Sequence, residues 1–288
     1  MSNVNKSISI IIFISFTIVS IYGLFLKPII TTWGALEKEI SMPMAGDNPA
    51  LTITSTRAIL INASKSDVWK WLIQLGADRG GFYSYTFIEK ALGYKTRKQD
   101  VIKPEFTKIA VGDVIRGSID EHSSIIPYHF RVRYVKPEET FVLDNWGTFL
   151  LEKVSNQQTR LIIRTQEIEG ATIWLKAKYY IIVPLHFIME RRTLMGIKAR
   201  AEAGENVQLS ERKDIFWFAG IVLSDFFIWT LIFIGRGIMS SIIIPFIFSV
   251  CWLLSLLIFT PAPLYSIGLL FAVCGYILYI VQTKSGRN

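Results

Sequence analysis

His186 and Glu190 stand four residues apart in the stretch "HFIMERR", a spacing that lets a helical histidine and glutamate hydrogen-bond to each other. In a closed site they would serve as a proton-transfer pair; on an open helix face they are an ordinary surface couple. Arg191 follows directly, and Pro184, Phe187, Ile188, Leu194 and Met195 surround it at spacings of three, four and seven. That pattern puts a guanidinium on the apolar face of the helix. It must meet a carboxylate, a carbonyl or an anionic ligand, because an unpaired buried charge is strongly destabilising. A proton-transfer enzyme could use His186 and Glu190 as acid and base, with Arg191 steadying an anion. No catalytic residue is assigned on this basis alone.

Other chemistries lack their residues. The histidines are His122, His129 and His186, with no H-x-x-x-H or C-x-x-C spacing, so neither a metal nor a cofactor is expected. Cys251 and Cys274 both fall in apolar C-terminal runs, and no G-x-S-x-G occurs. Gly80-Gly81 lacks the rest of a phosphate loop; its simpler role is a sharp turn that presents Phe82, Tyr83 and Tyr85.

Rings are the other concentration. "VWKWLIQLGADRGGFYSY", residues 68–85, holds two Trp, two Tyr and a Phe. Val68, Trp71, Leu72 and Leu75 form a helical stripe, with Lys70 and Gln74 pointing away. Tyr128, Phe130, Val132 and Tyr134 alternate with His129, Arg131 and Arg133, which makes one face of a strand dry. Such rings fill a core or frame a hollow. The second reading takes Trp71, Phe82, Tyr83, Tyr85, Tyr128, Phe130, Tyr134, Phe187 and Arg191 as ligand-binding residues around an apolar guest.

The elements that must position them follow from pattern. A β-prone stretch at 55–63 precedes a helix opened by Ser64 and Asp67 and closed by Gly76. Thr86 and Glu89 suggest the same capping device for a second short helix ending at Gly93. Strands are expected at 111–118, 126–136, 140–145, 147–154 and 160–168, in an antiparallel meander. A long helix should run from about 172 to 204, kinked or divided at Pro184.

The two ends are different in kind. Half the residues are hydrophobic and the mean hydropathy is +0.38, too apolar for an ordinary soluble chain. Residues 7–26 carry no charge and are long enough to span a bilayer; a cleaved leader would have a shorter apolar core. Residues 215–282 carry only Asp225 and Arg236 and divide at Gly235-Arg236-Gly237 and at Pro261-Ala-Pro263 into about three further spans. The first of the three could instead be a re-entrant or interfacial hairpin. Asp225 marks a bundle-facing site or a polar break, and in a structural or sensing membrane module it would be the contact with a partner membrane protein. A multi-pass cell-membrane protein is expected, with the side of its middle portion open, since basic residues flank both faces. That middle, residues 27–214, holds 27 basic and 22 acidic residues. So mild a surplus, without a basic stripe or motif, argues against nucleic acid and suits anionic lipid headgroups.

"TRAILINASKSDVWKWLIQLGADRGGFYSY" and "HFIMERRTLMGIKARAE" resemble the two ends of bacterial domains of the SRPBCC superfamily, the START, Bet v 1-like and polyketide cyclase relatives. "TWGALEKEISMPMAGD", "VGDVIRG" and "TRLIIRTQ" are similar to further segments, so the likeness covers residues 33–204. It carries Trp69, Trp71, Gly80, Gly81, Tyr83, Ser84 and Tyr85 at one end, and His186, Met189, Glu190, Arg191, Arg192, Gly196 and Lys198 at the other. Lys70 departs from the proline usual between the tryptophans. The resemblance implies an α+β helix-grip fold: an antiparallel sheet wrapped round a long C-terminal helix, holding a lipid-like or other hydrophobic small molecule. As the alternative, the same resemblance implies an enzyme of cyclase or dehydratase type in which His186 and Glu190 transfer protons and Arg191 steadies an enolate or carboxylate.

Overall fold

A computed structural model describes residues 3–98, 100–120, 129–167, 173–206 and 208–285. Tyr128 and His122 lie outside the described residues, as does the start of the strand expected at 126–136. Two compact units emerge, one joining Met1–Ile30 to Ser210–Asn288 and the other formed by Thr31–Leu209. In chain order the elements begin with helices α1 (Asn3–Ile21), α2 (Lys27–Thr31) and α3 (Glu37–Ser41), then strand β1 (Thr52–Ile61). Helices α4 (Lys65–Leu72) and α5 (Thr86–Ala91) follow. Next come strands β2 (Val114–Arg116), β3 (His129–Lys136), β4 (Thr140–Leu143), β5 (Gly147–Ser155) and β6 (Gln158–Glu167). The chain ends with helices α6 (Ile173–Ala203), α7 (Arg212–Ile234), α8 (Ile244–Leu257) and α9 (Pro263–Ser285).

Among the described residues four helices are long and apolar enough to cross a membrane: Lys6–Thr31, Arg212–Ile234, Met239–Leu257 and Pro263–Thr283. The first runs beyond Leu26, where the sequence pattern ended. A π turn at Tyr22–Leu26, closed by the Lys27 N–H on Tyr22 O, lets helical structure continue through Pro28, which has no N–H to donate. Helices α7 and α9 meet through small residues: a Cβ on Gly220 would come within 2.6 Å of the Ser266 hydroxyl, and the Ser224 hydroxyl donates to Ser266 O at 3.4 Å. Close backbone approach of this kind is how apolar helices pack without a hydrophobic drive between them. Asp225 accepts a hydrogen bond from Trp229 Nε1 of its own helix at 3.2 Å.

The other unit is α+β. Its six strands form one antiparallel sheet in the order β1-β6-β5-β4-β3-β2, so the meander β2 to β6 is joined at its far side by β1. Alternation gives the sheet a dry inner face, on which Ile61, Phe130, Phe141, Phe149, Leu161 and Ile163 pack with Trp71 and Leu72 of α4 and Leu194 and Ile197 of α6. Ser64 caps α4, accepting from Asp67 N at 3.2 Å. The second capping device does not form. Tyr85 is the N-cap of α5 without a side-chain bond, and the buried Glu89 takes the Thr96 hydroxyl at 2.7 Å instead. Helix α6 is a single run that carries Pro184 inside it.

The outer face of β1 and β6 is covered too, by residues 33–50, and two arginines four residues apart on β6 hold that strap. Arg164 is almost fully buried and donates to Met42 O, Asp47 Oδ2, Glu39 O, Ile40 O and Thr56 Oγ1 at 2.7 to 3.1 Å. Arg160 grips both oxygens of Glu39 at 2.8 and 2.6 Å and the Gly34 carbonyl at 2.7 Å. A guanidinium's rigid fork suits this, since its five donors can meet carbonyls that the short α3 leaves exposed at its end.

Candidate functional site

Most of the predicted wall residues pack on one another. Trp71 stands edge-on to Tyr83 with centroids 5.9 Å apart, and the Tyr83 hydroxyl donates to Trp71 O at 3.2 Å. Arg200 lies 4.3 Å above the Tyr83 ring and pairs with Asp100 at 2.6 Å. Burial pushes the Tyr83 phenol up and lowers Arg200 from the usual arginine value, Asp100 opposing the latter. Tyr83 sits at φ +55° with its carbonyl pressed on α6, where a Cβ on Gly196 would come within 2.3 Å of it. Gly81, at φ +81°, makes the turn before it, and the space a side chain would need is taken by Arg97 O. Phe82, Phe130, Trp146 and Phe149 continue the array with centroid separations of 5.1 to 6.4 Å. Tyr85 is buried edge-on to Phe87.

Tyr134 does not share the face of Phe130 and Val132. The pairing of β3 with β4 shifts register between Val132 and Tyr134, and the ring turns outward, 42% exposed. A bulge of one residue reverses every side chain beyond it, because the strand period is two.

The charged residues of α6 form a second cluster. Glu190 Oε1 pairs with Arg57 of β1 at 2.6 Å, both side chains 1% exposed, and Arg57 lies 5.2 Å from the Phe187 ring centroid. His186 Nε2 approaches the other oxygen of Glu190 to 3.3 Å. Desolvation lowers the His186 pKa while Glu190 pulls it upward, and the third of the side chain that remains exposed limits the shift. Arg191 stacks over Trp33 at 4.8 Å and near Phe187 at 5.8 Å, and Trp33 meets Phe187 edge-on at 6.3 Å. Its apolar-face position is therefore met by aromatic faces.

A hollow of about 440 Å³ lies elsewhere as an open surface cleft, lined by Trp69, Ile73, Thr107, Lys108, Ile109, Ala110, Asp113 and Pro137, of which Thr107, Lys108, Ala110, Asp113 and Pro137 are exposed. None of the predicted wall residues borders it. Helix α4 supplies Trp69 and its C-cap supplies Ile73, one turn apart, and the turns 107–113 and 136–139 supply the rest. The facing wall is pinned. Gln74, expected on the solvent side of α4, is fully buried because the 101–103 segment lies over it; its Oε1 accepts from Lys103 N at 2.7 Å. Arg79 donates to Ile73 O at 2.9 Å and Phe106 O at 3.4 Å, its guanidinium 4.8 Å from the Phe106 ring. Asp113 Oδ2 accepts from Ala110 N at 2.8 Å and closes the turn. The hollow thus has five apolar walls with Thr107, Lys108 and Asp113 as its polar groups.

Sequence reasoning did not reach this site. The signal available was the second stripe on α4, Trp69 and Ile73 at i and i+4, beside the stripe assigned to the core. Among the described residues no group of three or more His, Cys, Asp or Glu could hold a metal ion. Comparison of the chain with protein-family models and with curated proteins finds no match.

Proposed function

We propose that this protein is a multi-pass membrane protein whose α+β unit, of helix-grip type and SRPBCC-like, binds one hydrophobic, lipid-like molecule. The observation that carries the reading is the 440 Å³ hollow walled by Trp69, Ile73, Ile109, Ala110 and Pro137. Pockets for small organic ligands run from roughly 300 to 1,000 Å³, mostly apolar with a few polar groups that orient the guest. Lys108, Thr107 and Asp113 suit a polar head, and the aromatic and aliphatic walls suit an acyl or ring body. The sheet order and the packing of α6 on the sheet support the helix-grip reading. Four apolar helices would keep the hollow close to a reservoir of such molecules, where effective concentration governs loading. A photoreactive acyl probe incorporated into membranes holding the full chain tests this. Cross-links should map to peptides containing residues 69–73 and 107–113; labelling confined to the four apolar helices would refute it.

A catalytic reading keeps one observation in its favour, the 3.3 Å approach of His186 to a buried carboxylate oxygen. The ion pair of Glu190 with Arg57 offers the same carboxylate a purely structural task. The two readings part on the bound molecule. If His186 transfers a proton, His186→Gln should retain a chemically different guest from the wild type; if it does not, mass spectrometry should find the same one.

A further inference from the structure

The N-terminal half of α6 carries an exposed apolar surface that the hollow does not use. Ile182 and Leu185 are 38% and 56% exposed, and Tyr180 is 43% exposed. In sequence the segment 171–189 contains no acidic residue, while it includes Trp174, Lys176, Lys178, Tyr179 and Tyr180. Tryptophan, tyrosine and lysine are the residues enriched where a membrane's apolar core meets its headgroups. Chain connectivity supplies the location. Phe187 and Arg191 pack on Trp33, which follows Thr31, the last residue of the first apolar helix, by two positions. Two residues reach no further than about 7 Å. If that helix spans the bilayer, the ring on which α6 rests stands at the membrane surface.

We propose that residues 180–185 lie against the lipid headgroups, with Ile182 and Leu185 in the acyl boundary. The proposal rests on reading the four apolar helices as spans and is independent of any ligand. It makes the middle unit a membrane-contacting body in its own right, with α6 as the contact.

The test uses the full chain with Cys251→Ala and Cys274→Ala, reconstituted in vesicles of phosphatidylcholine and phosphatidylglycerol. A fluorophore is attached at Leu185→Cys, or at Val154→Cys on β5 as a control whose native residue is 53% exposed. Lipids brominated on the acyl chain should quench the label at 185 severalfold more than that at 154, and iodide in the buffer should show the opposite order. Equal behaviour of the two labels would overturn the proposal. So would a label at 185 reached by neither quencher, which would mean that protein covers the surface. Alkaline carbonate extraction separates the underlying assumption: release of the chain from vesicles would sink the span reading and the proposal together, whereas retention with a water-exposed 185 sinks the proposal alone.

Discussion

Trp69 and Trp71 sit two residues apart on α4 and are nearly equally hidden, 8% and 1% exposed, yet their surroundings differ. Trp71 has the Tyr83 ring against it, the Tyr83 hydroxyl on its carbonyl, and Arg200 5.9 Å from its own ring. Trp69 meets Phe141 edge-on at 6.2 Å and also borders the hollow, across which lies the 107–113 turn. Burial of a ring therefore does not say whether it fills space or encloses it. What decides is whether its second neighbour is another side chain or a void.

Truncation should separate the two most strongly. Trp71→Ala removes a ring packed on all sides and should cost about 3–5 kcal/mol, read as a large loss in thermal denaturation of the full chain in detergent. Trp69→Ala removes a ring that already borders a void. Its cost should be roughly 2 kcal/mol, accompanied by weaker binding of an apolar probe. Were both to cost the same and leave probe binding untouched, the distinction would fail. Gln74→Ala attacks the wall's support: it leaves Lys103 N–H without its acceptor, at a cost on the order of 1–2 kcal/mol, removes a hydrogen-bond partner of Tyr83 as well, and should speed probe release.

The smallest effect concerns charge. Burial lowers the His186 pKa below 6.5, so the unfolded chain binds that proton more readily than the folded one. The stabilising contribution is then complete above about pH 6.5 and is lost as pH falls through that value toward the folded pKa. His186→Gln should flatten this part of the stability profile; an unchanged profile would show that the imidazole is not desolvated.

How much of this could be read in advance depended on range. The stripe of Val68, Trp71, Leu72 and Leu75, the Ser64 cap, the strand order of a meander and the four apolar runs are local periodicities, and each has its counterpart in the elements described. Tyr134 was misjudged because a bulge is one extra residue opposite another strand, invisible in the alternation of a single segment. Gln74 was misjudged because the loop that covers it begins 27 residues later. Glu190 gave no sign of Arg57, 133 positions earlier, so its second partner could not be anticipated from the i, i+4 pattern. The hollow depends on three separate segments meeting, α4 and two turns, and only the Trp69 and Ile73 pair was present in the sequence as a hint.

Native mass spectrometry of the full chain, wild type against Ala110→Trp, tests the central claim most directly. Ala110 is an exposed wall residue, so an indole there should fill the hollow while leaving stability within about 0.5 kcal/mol. The account predicts one apolar molecule per wild-type chain that survives removal of loosely held lipid and is missing from the variant. Equal retention by both chains, or no retained molecule in either after exposure to membrane extract, would contradict it.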